Sequence, residues 1–158
     1  PQERPVQGGH VLFVGAFLQN VRGCGALRGE LRRLGDGGAV DPPGTLIAAD
    51  ERTTELTATP AGTPPPGVGW GATDPALFAA ANVPACPNVQ PFDLVDQPLV
   101  LRMTYTEPGE SSPAASASVR VVPRCTQRDP DRRARCQCEC QASYSPERCF
   151  QSRDAASD

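Results

Sequence analysis

Lysine is missing altogether: every one of the 15 Lys/Arg positions is arginine, and His10 is the single histidine. Against 18 acidic residues this leaves a formal charge of -3, which argues against a general nucleic-acid binder and against a surface strongly drawn to membranes. Codon preference in a GC-rich genome accounts for the lysine gap together with the heavy use of Ala, Gly and Pro. Selection for bidentate anion contacts is the rival account. No apolar run approaches the roughly 20 residues of a membrane-spanning helix. Large core formers are sparse, at 5 Phe, 2 Tyr, 1 Trp and 1 Met.

Catalytic and cofactor patterns are missing too. The chain holds no G-x-S-x-G, no GxxxxGK[ST] and no HExxH. A lone histidine in or beside a strand lacks the nucleophile elbow and orienting acid of a triad. Asp41, Asp50 and Glu51 lack the ladder spacing of an EF-hand loop. No Asn-x-Ser/Thr sequon occurs, so N-glycosylation is not expected. These gaps point away from an enzyme and call for no cofactor.

What is abundant is turn chemistry. With 18 Pro and 15 Gly in 158 residues, short strands and turns are favoured over long helices. The length suits one domain with a small appendage, able to bury on the order of 70% of its unfolded surface. Residues 1–9, PQERPVQGG, read as a flexible leader or tether of a processed chain. His10 to Val21 reads as a well-buried strand. The next stretch, RGCGALRGELRRLGDGG, spaces Leu27, Leu31 and Leu34 by four and three, which suits a helical turn. Its glycines each cost a helix about 1 kcal/mol, so a loop with a short helix is expected there.

Thr45 to Pro60 alternates as a half-buried strand, and AGTPPPG is a rigid connection. Val68 and Trp70 share one face of a short strand. LFAAANVPACPNVQPF, broken by Pro84, Pro87 and Pro91, is expected to run as edge strands and loop. The clearest pair follows. Leu99 to Thr106 puts Leu101, Met103 and Tyr105 on a core face, and Ala117 to Val122 puts Val119 and Val121 on one. A Gly/Ser/Pro loop joins them as a hairpin. The expected fold class is all-β.

TTELTATPAG, then GVGWGATDP, then LVLRMTYTEP with ASVRVV together resemble a bacterial immunoglobulin-like domain over roughly residues 45–123. The resemblance implies a seven-strand β-sandwich with Trp70 packed between its sheets. It also implies a spacer, adhesion or ligand-presenting role in the cell envelope. The organisation expected is a leader at 1–9, a sandwich at 10–124, a Cys-rich appendage at 125–150 and a disordered tail at 151–158. One departure stands out: no cysteine falls where antibody-type domains bridge their sheets.

Seven cysteines remain: Cys24, Cys86, Cys125, Cys136, Cys138, Cys140 and Cys149. Such a count suits an exported chain. A zinc site would favour C-x2-4-C knuckles, whereas the spacing here is C-x-C-x-C, and C-x-x-C redox chemistry has no motif. Disulfide staples are the expected use, with a metal or ligand site in the Cys-rich segment as the alternative. In an extended chain, Cα atoms two apart are about 6.6 Å distant, at the limit of disulfide reach. Bonds within the triplet are therefore disfavoured. The scheme we expect joins Cys24 to Cys86, and joins Cys125 and Cys149 to two members of the triplet. An odd cysteine is then left free, or cross-linked to a second copy or to another envelope protein.

Asp129 and Pro130 suit a helix N-cap and first position, which would set Cys136 and Cys140 on one face. An extended turn is the other option. Arg128, Arg132, Arg133 and Arg135 form a candidate patch for an anion, a polysaccharide or an acidic partner. Acidic residues interleave with them, so a self-paired surface is the competing reading. The function class these features favour is a non-enzymatic, exported structural, adhesive or protein-binding module, periplasmic, tethered to the outer membrane or extracellular.

Overall fold

The computed structural model describes residues 10–18, 21, 24–55, 57–58, 77–87 and 92–150. Among them the chain forms strands β1 (Val11–Leu18), β2 (Cys24–Arg33), β3 (Leu46–Glu55), β4 (Thr57–Ala58), β5 (Leu77–Pro84), β6 (Leu99–Thr106) and β7 (Ala115–Val121), then helices α1 (Pro130–Glu139) and α2 (Pro146–Phe150). Two antiparallel sheets result, one ordered β1-β5-β4 and the other β3-β2-β6-β7. The all-β class follows directly. The stretches that carry Val68 and Trp70, the leader 1–9 and the tail 151–158 lie outside the described residues.

The central strand is the largest correction. β2 falls where a loop with a short helix was expected, and it is hydrogen-bonded on both sides, to β3 and to β6. Its inward positions are Gly25, Leu27, Gly29 and Leu31, all buried. Leu27 and Leu31 are four apart, a spacing that an even-period strand satisfies as well as a helix. The glycines leave room for large neighbours. A Cβ on Gly25 would collide with Tyr105 and with the Thr106 carbonyl, and one on Gly29 would lie 2.8 Å from Val83 Cγ2. Such close approach is a reason for glycine inside a strand.

Two further strands differ from expectation. β5 is the middle strand of its sheet, between β1 and β4, rather than an edge. Its proline sits at the last position, Pro84, paired with the first residue of β1, where a missing donor does little harm. β1 is a strand, yet only half of it faces inward: Leu12, Val14 and Ala16 are partly covered while Phe13 is 82% exposed. The Thr45–Pro60 stretch also divides, because β3 belongs to one sheet and β4 to the other.

The expected hairpin is present as β6 and β7, in the register Leu101↔Val119 and Met103↔Ala117. Met103 and Tyr105 are buried, while Leu101 and Val121 are partly buried against the core. Val119 departs from its core assignment, being 54% exposed. It lies on β7, the edge of the four-stranded sheet, whose inward face is less covered than that of β2. The opposite face of β6 is not all wet either: Val100, between Arg32 and Arg120 in register, is fully buried.

The inward side chains of both sheets meet in two clusters. One gathers Leu18, Leu27, Ala81, Met103 and Tyr105. The other gathers Leu31, Val83, Ala85, Leu94 and Leu99 with Cys86, Cys136 and Cys140. Val14 and Leu101 touch both. Each fully buried Leu or Val contributes about 1.5–3 kcal/mol over an exposed one. A polar link also joins the sheets, where the Asn82 backbone N–H of β5 donates to Asp50 Oδ2 of β3 at 2.9 Å.

Candidate functional site

Several chemistry-bearing residues of this chain converge where α1, bonded to α2, packs against the sheets. α1 starts as its sequence dictates. Asp129 caps it, with Oδ1 accepting from the Arg132 backbone N–H at 2.9 Å, and Pro130 occupies the first turn. The helical option for the Cys triplet is thus the one adopted. One turn apart, Cys136 and Cys140 share a buried face, whereas Cys138 points aside toward α2.

Three disulfides follow from that geometry. Cys86 pairs with Cys140, Cys125 with Cys136, and Cys138 with Cys149, at Cα separations of 4.9, 5.9 and 5.7 Å. All three separations are normal for the bond. No bond forms inside the triplet, and Cys125 and Cys149 each take a triplet partner. The pairing of Cys24 with Cys86 does not occur. Cys24 opens β2, while Cys86 packs beside Leu31 at the far end of that strand, about 23 Å away by strand rise. The unpaired thiol is therefore Cys24, which is exposed, and not a triplet member.

Two residues join the site that the sequence did not single out together. His10 sits just before β1 and is fastened to the end of β5, its N–H donating to the Cys86 carbonyl at 2.7 Å and its carbonyl accepting from Ala85 N–H at 2.8 Å. Its Nε2 lies 2.8 Å from Oε2 of Glu139. Glu139, only 5% exposed, also accepts from Arg135 Nε at 2.7 Å. The partners are 129 positions apart, and no local pattern could have linked them. The C-terminal end of α1 is further held by Leu94 N–H on the Cys140 carbonyl, and by Ala142 N–H on Asp93 Oδ1 at 2.7 Å.

The arginine patch does not assemble as four free cations. Arg135 is bound to Glu139, and Arg133 Nε donates to the Gln127 carbonyl at 2.9 Å. Arg128 and Arg132 are exposed on the solvent side. A better-organised charge array lies on β2, where Arg28 and Arg32 each place Nε 2.7 Å from the buried carboxylate of Glu30. Arg28 also reaches Glu51 at 3.1 Å. Burial pushes the Glu30 carboxyl up, but the hydrogen bonds from Arg32 and then Arg28 outweigh it, leaving the pKa lowered. The Glu30 and Glu51 hydrogen bonds raise the Arg28 guanidinium despite burial. Asp50 ends below its usual value, because the Asn82 N–H and Arg52 outweigh its desolvation. The alternating R-x-E-x-R string was a legible signal of this strand face.

Two shallow clefts share Asp93 and Gln97, and the second borders α1. One of about 370 Å³ is lined by Arg33, Phe92, Asp93 and Leu99, and another of about 310 Å³ by Asp93, Val95, Gln137 and Gln141. Arg33 stacks over the Phe92 ring at 4.7 Å. Chemically the assembly is a clamp: oxidised sulfur, one buried carboxylate and a short helix fixed on the sheets. No helix among the described residues is long and apolar enough to cross a membrane. No family model, curated protein or solved structure matches the chain.

Proposed function

We propose that this chain is an exported, non-enzymatic module of the cell envelope or cell surface. Its immunoglobulin-like sandwich, with the helical appendage stapled to one end, presents loops and strand faces to other proteins. The observation that carries the reading is the set of three disulfides joining the C-terminal helices to one another, to the segment after β7 and to the loop after β5. Disulfides at this density persist in oxidising compartments and are rare in reducing ones. The two antiparallel sheets support the sandwich, and the exposed Phe13, Val11 and Val119 supply apolar contact surface. Cys24 offers a covalent link to a second copy or a neighbouring envelope protein, and the exposed arginines of α1 suit an acidic protein or a polysaccharide.

A capture experiment tests it. The folded chain is immobilised and exposed to solubilised envelope proteins, beside a control whose disulfides have been reduced and alkylated. The reading expects proteins retained by the oxidised chain and lost from the control. Equal retention by both, or none by either, contradicts it.

A further inference from the structure

Two of the disulfides are neighbours in space. The Sγ atoms of Cys125, Cys136 and Cys140 all lie within 4.8 Å of one another, and the sulfur of Cys86 is bonded to that of Cys140. Three sulfurs are thus mutually close, and the fourth, that of Cys86, is tied to one of them by its bond to Cys140. The four come from the loop after β5, the segment after β7 and one face of α1. Cys86, Cys136 and Cys140 are buried, and Cys125 is partly so. The third disulfide, Cys138–Cys149, lies on another face of the helix and stands apart from this cluster.

Three thiolates at such spacing, with a fourth beside one of them and free to turn once its bond is reduced, suit a tetrahedral soft-metal site. A zinc–sulfur bond of about 2.3 Å puts neighbouring sulfurs about 3.8 Å apart. Cys125, Cys136 and Cys140 start within range of one another, and reduction lets the two bonded pairs separate, while Cys86, released from Cys140, must turn toward Cys125 and Cys136 to complete the set. Helical spacing holds Cys136 and Cys140 on one face, as a metal-binding pair requires. Thiolate ligands select zinc over hard cations such as magnesium or calcium.

We propose that Cys86, Cys125, Cys136 and Cys140, when reduced, form a four-thiolate site for one zinc ion, so that the same four sulfurs staple the fold in either state. In the reducing step, each disulfide takes two electrons and two protons from one dithiol, which leaves as its own disulfide. In the binding step, the four thiols lose four protons and bind one divalent ion, leaving a site of net charge -2. Metal binding then replaces the two lost covalent links, because its free energy is folding free energy. This goes beyond the envelope reading and does not rest on it, since that reading concerns the oxidised chain.

The test uses the full chain, reduced under inert gas with a water-soluble phosphine, which leaves as the phosphine oxide. Cobalt(II) is titrated in, followed by zinc. The proposal expects one cobalt per chain, with the visible bands of tetrahedral coordination and thiolate charge transfer in the near ultraviolet, and displacement by zinc. Replacing Cys138 and Cys149 by Ser together should leave this signal in place, as should Cys24→Ser. Cys125→Ser or Cys136→Ser should weaken binding at least 100-fold. The strand spectrum in the far ultraviolet should be kept by the zinc-loaded reduced chain and lost on chelation. A reduced chain that binds no cobalt overturns the proposal, as does one whose binding depends on Cys138 and Cys149, or one equally tight with Cys125→Ser.

Discussion

The two core clusters hold their ends of the molecule by different means. At the Tyr105 end, Leu18, Leu27, Ala81 and Met103 pack with no covalent link, and the Tyr105 hydroxyl donates to the Cys24 carbonyl. At the Leu31 end, a comparable set of aliphatic residues is joined by Cys86, Cys136 and Cys140. The only unpaired thiol among the described residues lies at the first end and every bonded one at the second. The difference has a physical cause. β2 and β6 bring the first end together through long ladders and close glycine packing. The second end must hold a ten-residue helix, shorter than the ~12–15 residues at which isolated helices become even marginal in water.

The largest break in this comparison should come from Cys86→Ser with Cys140→Ser. That bond spans 54 positions, and by the chain-entropy model its loss costs about 4 kcal/mol. The melting temperature should fall by on the order of 10 °C, read by calorimetry. The packed end should respond differently. Leu27→Ala removes a fully buried side chain at a cost of about 3 kcal/mol, while leaving the disulfide pattern by mass spectrometry as it was.

Gly29→Ala sharpens the account of the central strand. Its new Cβ would stand 2.8 Å from Val83 Cγ2, and overpacking of this kind costs about 1–3 kcal/mol. If β2 were a surface loop, the same change would be neutral or stabilising in a urea titration.

That strand also shows where spacing along the chain misleads. Leu27 and Leu31 sit four apart, which both periods allow, and the glycines that would weaken a helix instead make room for Tyr105 and Val83. The odd positions carried an unbroken inward set and the even ones Arg28, Glu30 and Arg32, so alternation was there to be seen. β6 was legible because its inward positions are all large and apolar. In the candidate site, the cap at Asp129 and the one-turn spacing of Cys136 and Cys140 are local, and the sequence displayed them. The His10–Glu139 contact and the exclusion of Cys24 from any pair depend on which end of the sheets each segment reaches. Spacing along the chain carries no such information.

The smallest expected effect is electrostatic. Glu30 has a folded pKa below its unfolded one, so its contribution is full above about pH 4.3, the ordinary Glu value, and is lost as pH falls through the folded value. Arg28 is 40% exposed at its side chain and Arg32 24%, so screening holds the net gain to about 1 kcal/mol. Glu30→Gln should flatten the fall in urea midpoint between pH 5 and about pH 3, with little change in the relative strength of the two ends.

Alkylation of the denatured chain without reductant, followed by mass mapping, tests the central claim most directly. The account predicts a single label, on Cys24, with Cys86 found linked to Cys140, Cys125 to Cys136 and Cys138 to Cys149. Labels on the C-terminal cysteines, or a bond between Cys24 and Cys86, would contradict it.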